Sequence, residues 1–282
     1  MERSARHRAF RGVGSAVILL LFGVLATAQS SKLKNIEMCN GVGDVSPDLQ
    51  ISGCTALIDS GAETSQILAI AHNNRGNAYA KKGEYDHAIR DHDQAIKFNP
   101  NYAKAFNNRG VAYQKKGERD PAIKDFDEAL KLDPNYAHAF ANRAETYQTK
   151  GEYDRAARDF DEAIRLQPTM EAVWNGRCWN RAIVGELQSA LADCNEALRL
   201  EPNDAAAFDS RGFTYLKMGQ WEAAIADYSS ALRLQPKLAS SLYGRGLARL
   251  KNGDTTGGNA DIAAAIAIEA NIVGVFARYG AR

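Results

Sequence analysis

The sequence predicts an all-α protein in which helical hairpins stack side by side into a solenoid. Two observations predict this fold: the chain repeats with a period of 34 residues, and turn-forming residues recur in each repeat. Position 15 is glycine in all six repeats, and position 32 is proline in the first five. Glycine favours the end of a helix and proline cannot continue one, so each repeat should hold helix A, a tight turn and helix B. One hairpin cannot bury its apolar face alone, so the repeats must stack.

Six repeat units account for most of the chain. They cover residues 69–102, 103–136, 137–170, 171–204, 205–238 and 239–272. Positions 8 and 20 are small in every unit, whereas positions 11, 24 and 28 carry larger side chains such as Tyr79, Phe126 and Leu130. Small residues let two helix backbones approach closely, so these positions predict the seam between helices A and B.

The first 28 residues have the pattern of a secretory signal peptide. Four arginines precede an apolar run that ends in Ala26-Thr27-Ala28, a small-residue cleavage pattern. We expect cleavage after Ala28 and export, with a periplasmic location. The alternative is an uncleaved membrane anchor, although the apolar run is short for a full span.

The two ends of the array are expected to be capping segments. Residues 29–68 should contain one helix, within 46–61, and a disulfide. The sixth unit departs from the pattern at Thr255, Gly258 and Ala270, as a terminal repeat can. The tail, residues 273–282, should continue as a capping helix.

This pattern resembles the tetratricopeptide repeat (TPR) over residues 69–272, nearly three quarters of the chain. The resemblance implies a right-handed solenoid whose inner surface is lined mainly by helix A. It also implies that this surface binds a segment of another protein.

Two charged positions recur at a spacing of sixteen. Position 7 is arginine and position 23 is aspartate in every unit, and an antiparallel hairpin brings them within about one helical turn. The sequence therefore predicts ion pairs, either within one repeat or between neighbours; separate solvated charges are the alternative. The pairs are Arg75 and Asp91, Arg109 and Asp125, Arg143 and Asp159, Arg177 and Asp193, Arg211 and Asp227, and Arg245 and Asp261.

The same register places position 8 opposite position 24, and in the fourth unit these are Cys178 and Cys194. A disulfide there explains both departures from the pattern, and it leaves Cys39 and Cys54 to pair with each other. Buried free thiols are the alternative, but disulfides are typical of exported proteins.

No motif for catalysis or metal binding is present in the sequence. The histidines lack metal-ligand spacing, and His92 stands at position 24, where an aromatic core residue is expected. There is no phosphate-binding glycine loop and no nucleophile motif. We therefore expect no enzyme activity, no cofactor and no metal. The net charge of +1 also argues against a nucleic-acid partner.

Helix A positions predict two peptide-binding zones. The first three units offer amides, which can donate to and accept from a peptide group at once: Asn73, Asn74, Asn77, Asn107, Asn108 and Asn142. The last three units offer an apolar strip: Trp179, Ile183, Phe213, Leu216, Tyr243 and Leu247. The alternatives are surface asparagines with no ligand, and an apolar strip covered by Ile272, Val273, Val275 and Phe276 of the tail.

The function expected from these features is that of a scaffold or adaptor that binds an extended peptide segment of another protein. Two alternatives stay open. One is an assembly factor held at a membrane by an uncleaved signal segment, and the other is the substrate-recruiting subunit of a separate enzyme.

Overall fold

The computed structural model describes residues 29–281, in which α-helices are joined by short turns and no β-strand is present. The predicted signal peptide lies outside these residues. Helix α1 covers residues 29–40. The others are α2 (Pro47–Asp59), α3 (Ser65–Lys81), α4 (Tyr85–Phe98), α5 (Ala103–Lys115), α6 (Arg119–Leu132), α7 (Ala137–Lys150), α8 (Tyr153–Leu166), α9 (Glu171–Val184), α10 (Leu187–Leu200), α11 (Ala205–Lys217), α12 (Trp221–Leu234), α13 (Ala239–Lys251), α14 (Thr255–Ile268) and α15 (Ile272–Arg278).

Helices α3 to α14 are the A and B helices of the six repeats, so the predicted fold class, an all-α stack of hairpins, is confirmed. The chain divides into two compact units with a boundary after Leu132. In its described part the first unit holds α1 to α6, and the second holds α7 to α15. Each hairpin packs on the next one within its unit.

The N-terminal cap contains two helices, not the single helix that was predicted. Helix α2 corresponds to the expected segment, whereas α1 is additional. Its few apolar residues include the exposed Leu33, so hydrophobic periodicity gave no signal for it. Helix α1 approaches α2 at Gly53, where an added Cβ would lie 2.9 Å from the backbone nitrogen of Cys39.

The glycine at position 15 ends helix A because its backbone adopts a left-handed conformation. The six glycines have φ between 74° and 93°, a region that other residues rarely adopt. The turn therefore depends on glycine itself.

Aromatic side chains at position 24 fill the seam, and they explain the small residues opposite them. An added Cβ on Gly110 would lie 2.7 Å from Phe126 Cε1, and one on Gly76 would lie 2.7 Å from His92 Cε1. The seam is thus packed to contact distance, and His92 is a core residue, as expected from its position.

The recurrent arginines bind the recurrent aspartates of their own repeats. Nε and Nη2 of each arginine donate to the two carboxylate oxygens at 2.6–3.0 Å. In the second and fourth repeats the third nitrogen reaches the preceding helix B: Nη1 of Arg109 donates to Asp93 at 2.5 Å, and Nη1 of Arg177 donates to Asp161 at 2.6 Å. The pairs between positions 7 and 23 are therefore all within one repeat. The neighbouring repeat is reached at position 25, so the guanidinium of Arg109 or Arg177 joins three helices.

Further groups support some of these aspartates. In the first repeat His72 Nδ1 lies 2.9 Å from Asp91 Oδ1. Burial alone would raise the pKa of Asp91, but its hydrogen bonds with His72 and Arg75 outweigh burial and hold the pKa below its ordinary value. In the fourth repeat Arg181 also donates to Asp193, at 2.7 Å. The pairs are therefore parts of buried networks, not isolated surface charges.

Two disulfides join the cysteines in the pairing that the register predicts, Cys39 with Cys54 and Cys178 with Cys194. The first ties α1 to α2, and the second joins α9 to α10. All four cysteines are buried.

Within residues 29–281, no single helix combines the length and apolar character of a membrane span. Helices α14 and α15 meet that test only as a pair, with a 106° bend between them.

Candidate functional site

An open pocket of about 570 Å³ lies on the helix A side of the first unit. Helix α3 contributes Asn74, Asn77 and Lys81 at i, i+3 and i+7, so the three residues share one face. Helix α5 repeats this arrangement 34 residues later. The full lining, which we call the amide pocket, is Asn40, Gln50, Asn74, Asn77, Ala80, Lys81, Tyr85, Asn108, Val111, Ala112 and Lys115.

The predicted asparagines do not all face this pocket. Asn73 and Asn107 are buried, with 4% and 5% of their surfaces exposed. The Oδ1 of Asn73 accepts from Asn108 Nδ2 at 3.0 Å, and Asn107 Nδ2 donates to Asn108 Oδ1 at 3.2 Å. Asn73 and Asn107 are therefore not part of the pocket lining; they hold the Asn108 amide in place, and ligand binding by either of them stays a prediction. Position 5 is rotated by about 100° around the helix axis from position 6. Asn73 and Asn107 therefore face inward, while Asn74 and Asn108 line the pocket.

Asn74 and Asn77 line the pocket as predicted, and Asn74 Nδ2 donates to Asn40 Oδ1 at 3.2 Å. Asn40 follows Cys39, whose carbonyl oxygen accepts from Gln50 Nε2 at 3.1 Å. The N-terminal disulfide therefore positions two amides that helical periodicity did not reveal. Asn142 belongs to α7 in the second unit, where its carbonyl oxygen accepts from Thr146 Oγ1 at 2.8 Å.

The amide pocket has a positive edge. Lys81 and Lys115 are exposed, and no ion pair to either is found among the described residues. The lysines that follow them are paired: Lys82 with Asp48 and Lys116 with Asp86. The recurrence of lysine at position 13 was visible in the sequence, but its place in the pocket was not.

The apolar strip of the second unit is not open, because α15 folds back and covers it. Phe276 lies against Tyr243 and Phe213, with ring centroids 4.8 and 5.8 Å apart. Tyr279 packs edge-on against Trp179 at 5.4 Å. Phe213 is fully buried as a result.

Phe213, Leu216, Tyr243 and Leu247 are all buried, so the strip is covered, as in the alternative interpretation of the sequence. Peptide binding by these residues stays a prediction. Trp179 and Ile183 are half-buried. The covering tail, which the sequence offered as the alternative, is present, but Tyr279 takes part in it and Val273 does not.

A smaller cavity of about 220 Å³ remains beside the tail. It is lined by Leu216, Lys217, Trp221, Leu247, Lys251, Gly280 and Ala281. Lys217 Nζ donates to the carbonyl oxygens of Ala182 and Ile183 at 2.8 and 3.1 Å, and burial lowers the pKa of Lys217. This lysine therefore fixes the end of α9 and is not a free charge.

Residues 29–281 contain no cluster of three or more histidine, cysteine or acidic side chains that could hold a metal ion. The chemistry these surfaces offer is hydrogen bonding through amides in the first unit and apolar packing in the second.

Three comparisons with known proteins bear on the family. Models described as "TPR repeat" match residues 76–117 and 214–253, and models described as "Tetratricopeptide repeat" match residues 103–136 and 137–170. No curated protein sequence matches the chain.

Among solved structures, the chain is similar to the APC/C hetero-tetramer Cut9-Hcn1, with a TM-score of 0.70 and 18% identity, over 88% of this chain and 51% of that one. It thus spans about half of that relative's length. It is also similar to a tetratricopeptide repeat protein from Parabacteroides merdae ATCC 43184 (TM-score 0.66, 19% identity, 89% and 99% covered). A third match is YrrB, "a TPR protein with an unusual peptide-binding site" (TM-score 0.51, 20% identity, 65% and 96% covered).

The stacked hairpins and the amide-lined helix A surface define a helical repeat protein of the scaffold class. The chain is a tetratricopeptide repeat protein. Proteins of this family generally bind other proteins through the repeats.

Proposed function

We propose that this chain is a non-enzymatic scaffold that binds an extended peptide segment of another protein in the amide pocket. The observation that carries the proposal is the presentation of asparagine amides from two successive helices A, at Asn74, Asn77 and Asn108, around one open pocket. A primary amide donates and accepts at once, so a row of them matches the alternating N–H and C=O groups of an extended main chain.

The ligand's main chain, more than its sequence, would be recognised in this pocket. The Asn108 amide is held by Asn73 and Asn107, so little side-chain freedom is lost on binding. Because Lys81 and Lys115 are positively charged, they favour a peptide segment that carries acidic side chains. The peptide-binding site named for the similar structure YrrB is consistent with this mode.

We further propose that the chain is exported and acts in the periplasm after cleavage following Ala28. Two buried disulfides suit an oxidising compartment. The mass of the mature protein tests this step, since a product that begins at Gln29 excludes the anchored alternative.

Photo-crosslinking from within the pocket tests the binding proposal. A photoreactive amino acid at Val111 should capture a partner in cells, and Asn74→Ala with Asn108→Ala should abolish that product. The matched control is Gln188→Ala with Asn259→Ala, two exposed amides on the B helices α10 and α14. Equal capture by both double variants would refute the pocket as the binding site.

A further inference from the structure

Helix α15 lies across three successive A helices instead of extending the stack of hairpins. The chain bends by 106° between α14 and α15. Phe276 then contacts Tyr243 of α13 and Phe213 of α11, and Tyr279 reaches Trp179 of α9. A seventh helix A in the stack would contact the last repeat only. Helix α15 therefore occupies the helix A surface as a ligand would.

The buried side of α15 is a single face. Ile272, Phe276 and Tyr279 stand at i, i+4 and i+7, so they project from one side of the helix. Ile272 and Phe276 are almost fully buried, whereas Val273 on another side is 45% exposed. This is the geometry in which an amphipathic helix binds a groove of a partner protein.

The contact is built from a rigid surface and a weakly formed helix. Helix α15 has seven residues and contains Gly274, and its N-cap residue Asn271 makes no side-chain capping hydrogen bond. A helix of this length is not stable by itself in water. By contrast, the apolar strip is fixed from below, because the Cys178–Cys194 disulfide anchors α9 next to Trp179. The strip is thus preformed, while its occupant gains order only by docking.

We propose that the apolar strip is a second binding surface, which accepts an amphipathic helix of a partner protein after α15 is displaced. The partner helix carries large apolar residues at i, i+4 and i+7, with aromatic rings at the last two. This proposal does not depend on the amide pocket, which lies in the other unit.

The test uses a fluorescent peptide of residues 269–282 and the full-length chain. In the variant Phe276→Ala with Tyr279→Ala the strip is uncovered more often, so the peptide should bind about tenfold more tightly than it binds the wild type. Trp179→Ala added to this variant should weaken binding. A peptide that itself carries both alanines should not bind.

Val273→Ala is the matched control on the exposed side of α15, and it should leave the affinity for the peptide at the wild-type value. Circular dichroism and a melting curve establish that each variant is folded. Tyr279→Ala alone provides a milder second variant. Equal affinity for wild type and double variant, or no binding to the folded double variant, would overturn the proposal. A wild-type dimer that dissociates in the double variant would also overturn it, since the occupant would then be the tail of a second copy.

Discussion

Arg211 and Asp227 form a two-point ion pair between α11 and α12, with Nε to Oδ2 at 2.7 Å and Nη2 to Oδ1 at 2.8 Å. Asp227 is buried, whereas Arg211 keeps about a fifth of its side chain exposed. Nη1 of Arg211 also donates to Asn195 Oδ1 on α10, at 2.8 Å. The two-point pair recurs in each repeat, so it is a structural unit of the fold.

Arg211→Met should lower the free energy of unfolding by about 2–4 kcal/mol, because it leaves the buried Asp227 carboxylate without its partner. Urea denaturation measures the change. Arg199→Met is the control, since Arg199 pairs with Glu196 on the exposed surface. The urea midpoint of this variant should hardly differ from that of the wild type. Arg211→Met with Asp227→Leu should recover much of the lost stability. If the double variant is less stable than Arg211→Met, the unpaired carboxylate is not the cause.

The helical hairpins and their internal contacts could be predicted because the same sequence pattern occurs in six repeats. All repeats share one alignment of helix A against helix B. This alignment predicts the turn at the position 15 glycine, the pairing of the arginine at position 7 with the aspartate at position 23, and the Cys178–Cys194 disulfide. Local geometry within a hairpin depends on residues close in sequence, so periodicity is sufficient to predict it.

The candidate sites could be predicted only in part, because they depend on segments outside the repeats. The sequence placed Asn74 and Asn108 on helix A, but not Asn40, which reaches the pocket through α1 and a disulfide. It identified the apolar strip around Phe213 but left open whether the tail covers it. Both sites depend on where a terminal helix packs against the repeats. The 34-residue period does not predict this, because the terminal helices lie outside the repeats.

A glycine and a phenylalanine should be able to replace the Cys178–Cys194 disulfide, because Gly110 packs against the Phe126 ring at the equivalent positions of the second repeat. Cys178→Ser with Cys194→Ser should lose about 2–4 kcal/mol, since a 16-residue cross-link is lost and two hydroxyls are buried. Cys178→Gly with Cys194→Phe should lose less, because the ring fills the seam. Urea denaturation of the two double variants compares them. Equal losses would mean that the seam at this repeat does not accept a ring.

His92→Phe should make the protein more resistant to acid. His92 is fully buried, and burial lowers its pKa from 6.5 to about 4. Between pH 6.5 and 4, His92 is protonated in the unfolded chain but neutral in the folded chain. The free energy of unfolding therefore decreases progressively as the pH falls through this range. The stability of His92→Phe relative to wild type should rise by about 3 kcal/mol from pH 7.5 to pH 4. A constant difference between the two proteins at all pH values would contradict the burial effect.

Tyr228→Phe should stabilise the protein, because the Tyr228 hydroxyl is buried without a hydrogen-bond partner among the described residues. The ring packs between Gly212 of its own repeat and Gly244 of the next, and an added Cβ on Gly244 would meet Cζ of the ring. The equivalent residues of the second and third repeats, Phe126 and Phe160, have no hydroxyl. Removing the unpaired group should raise the free energy of unfolding by about 1–2 kcal/mol, measured by urea denaturation at pH 7. Because burial raises the pKa of Tyr228 well above its ordinary value, the hydroxyl is neutral at that pH and the gain reflects hydrogen bonding, not charge. A loss of stability in Tyr228→Phe would mean that the hydroxyl has a partner in solution.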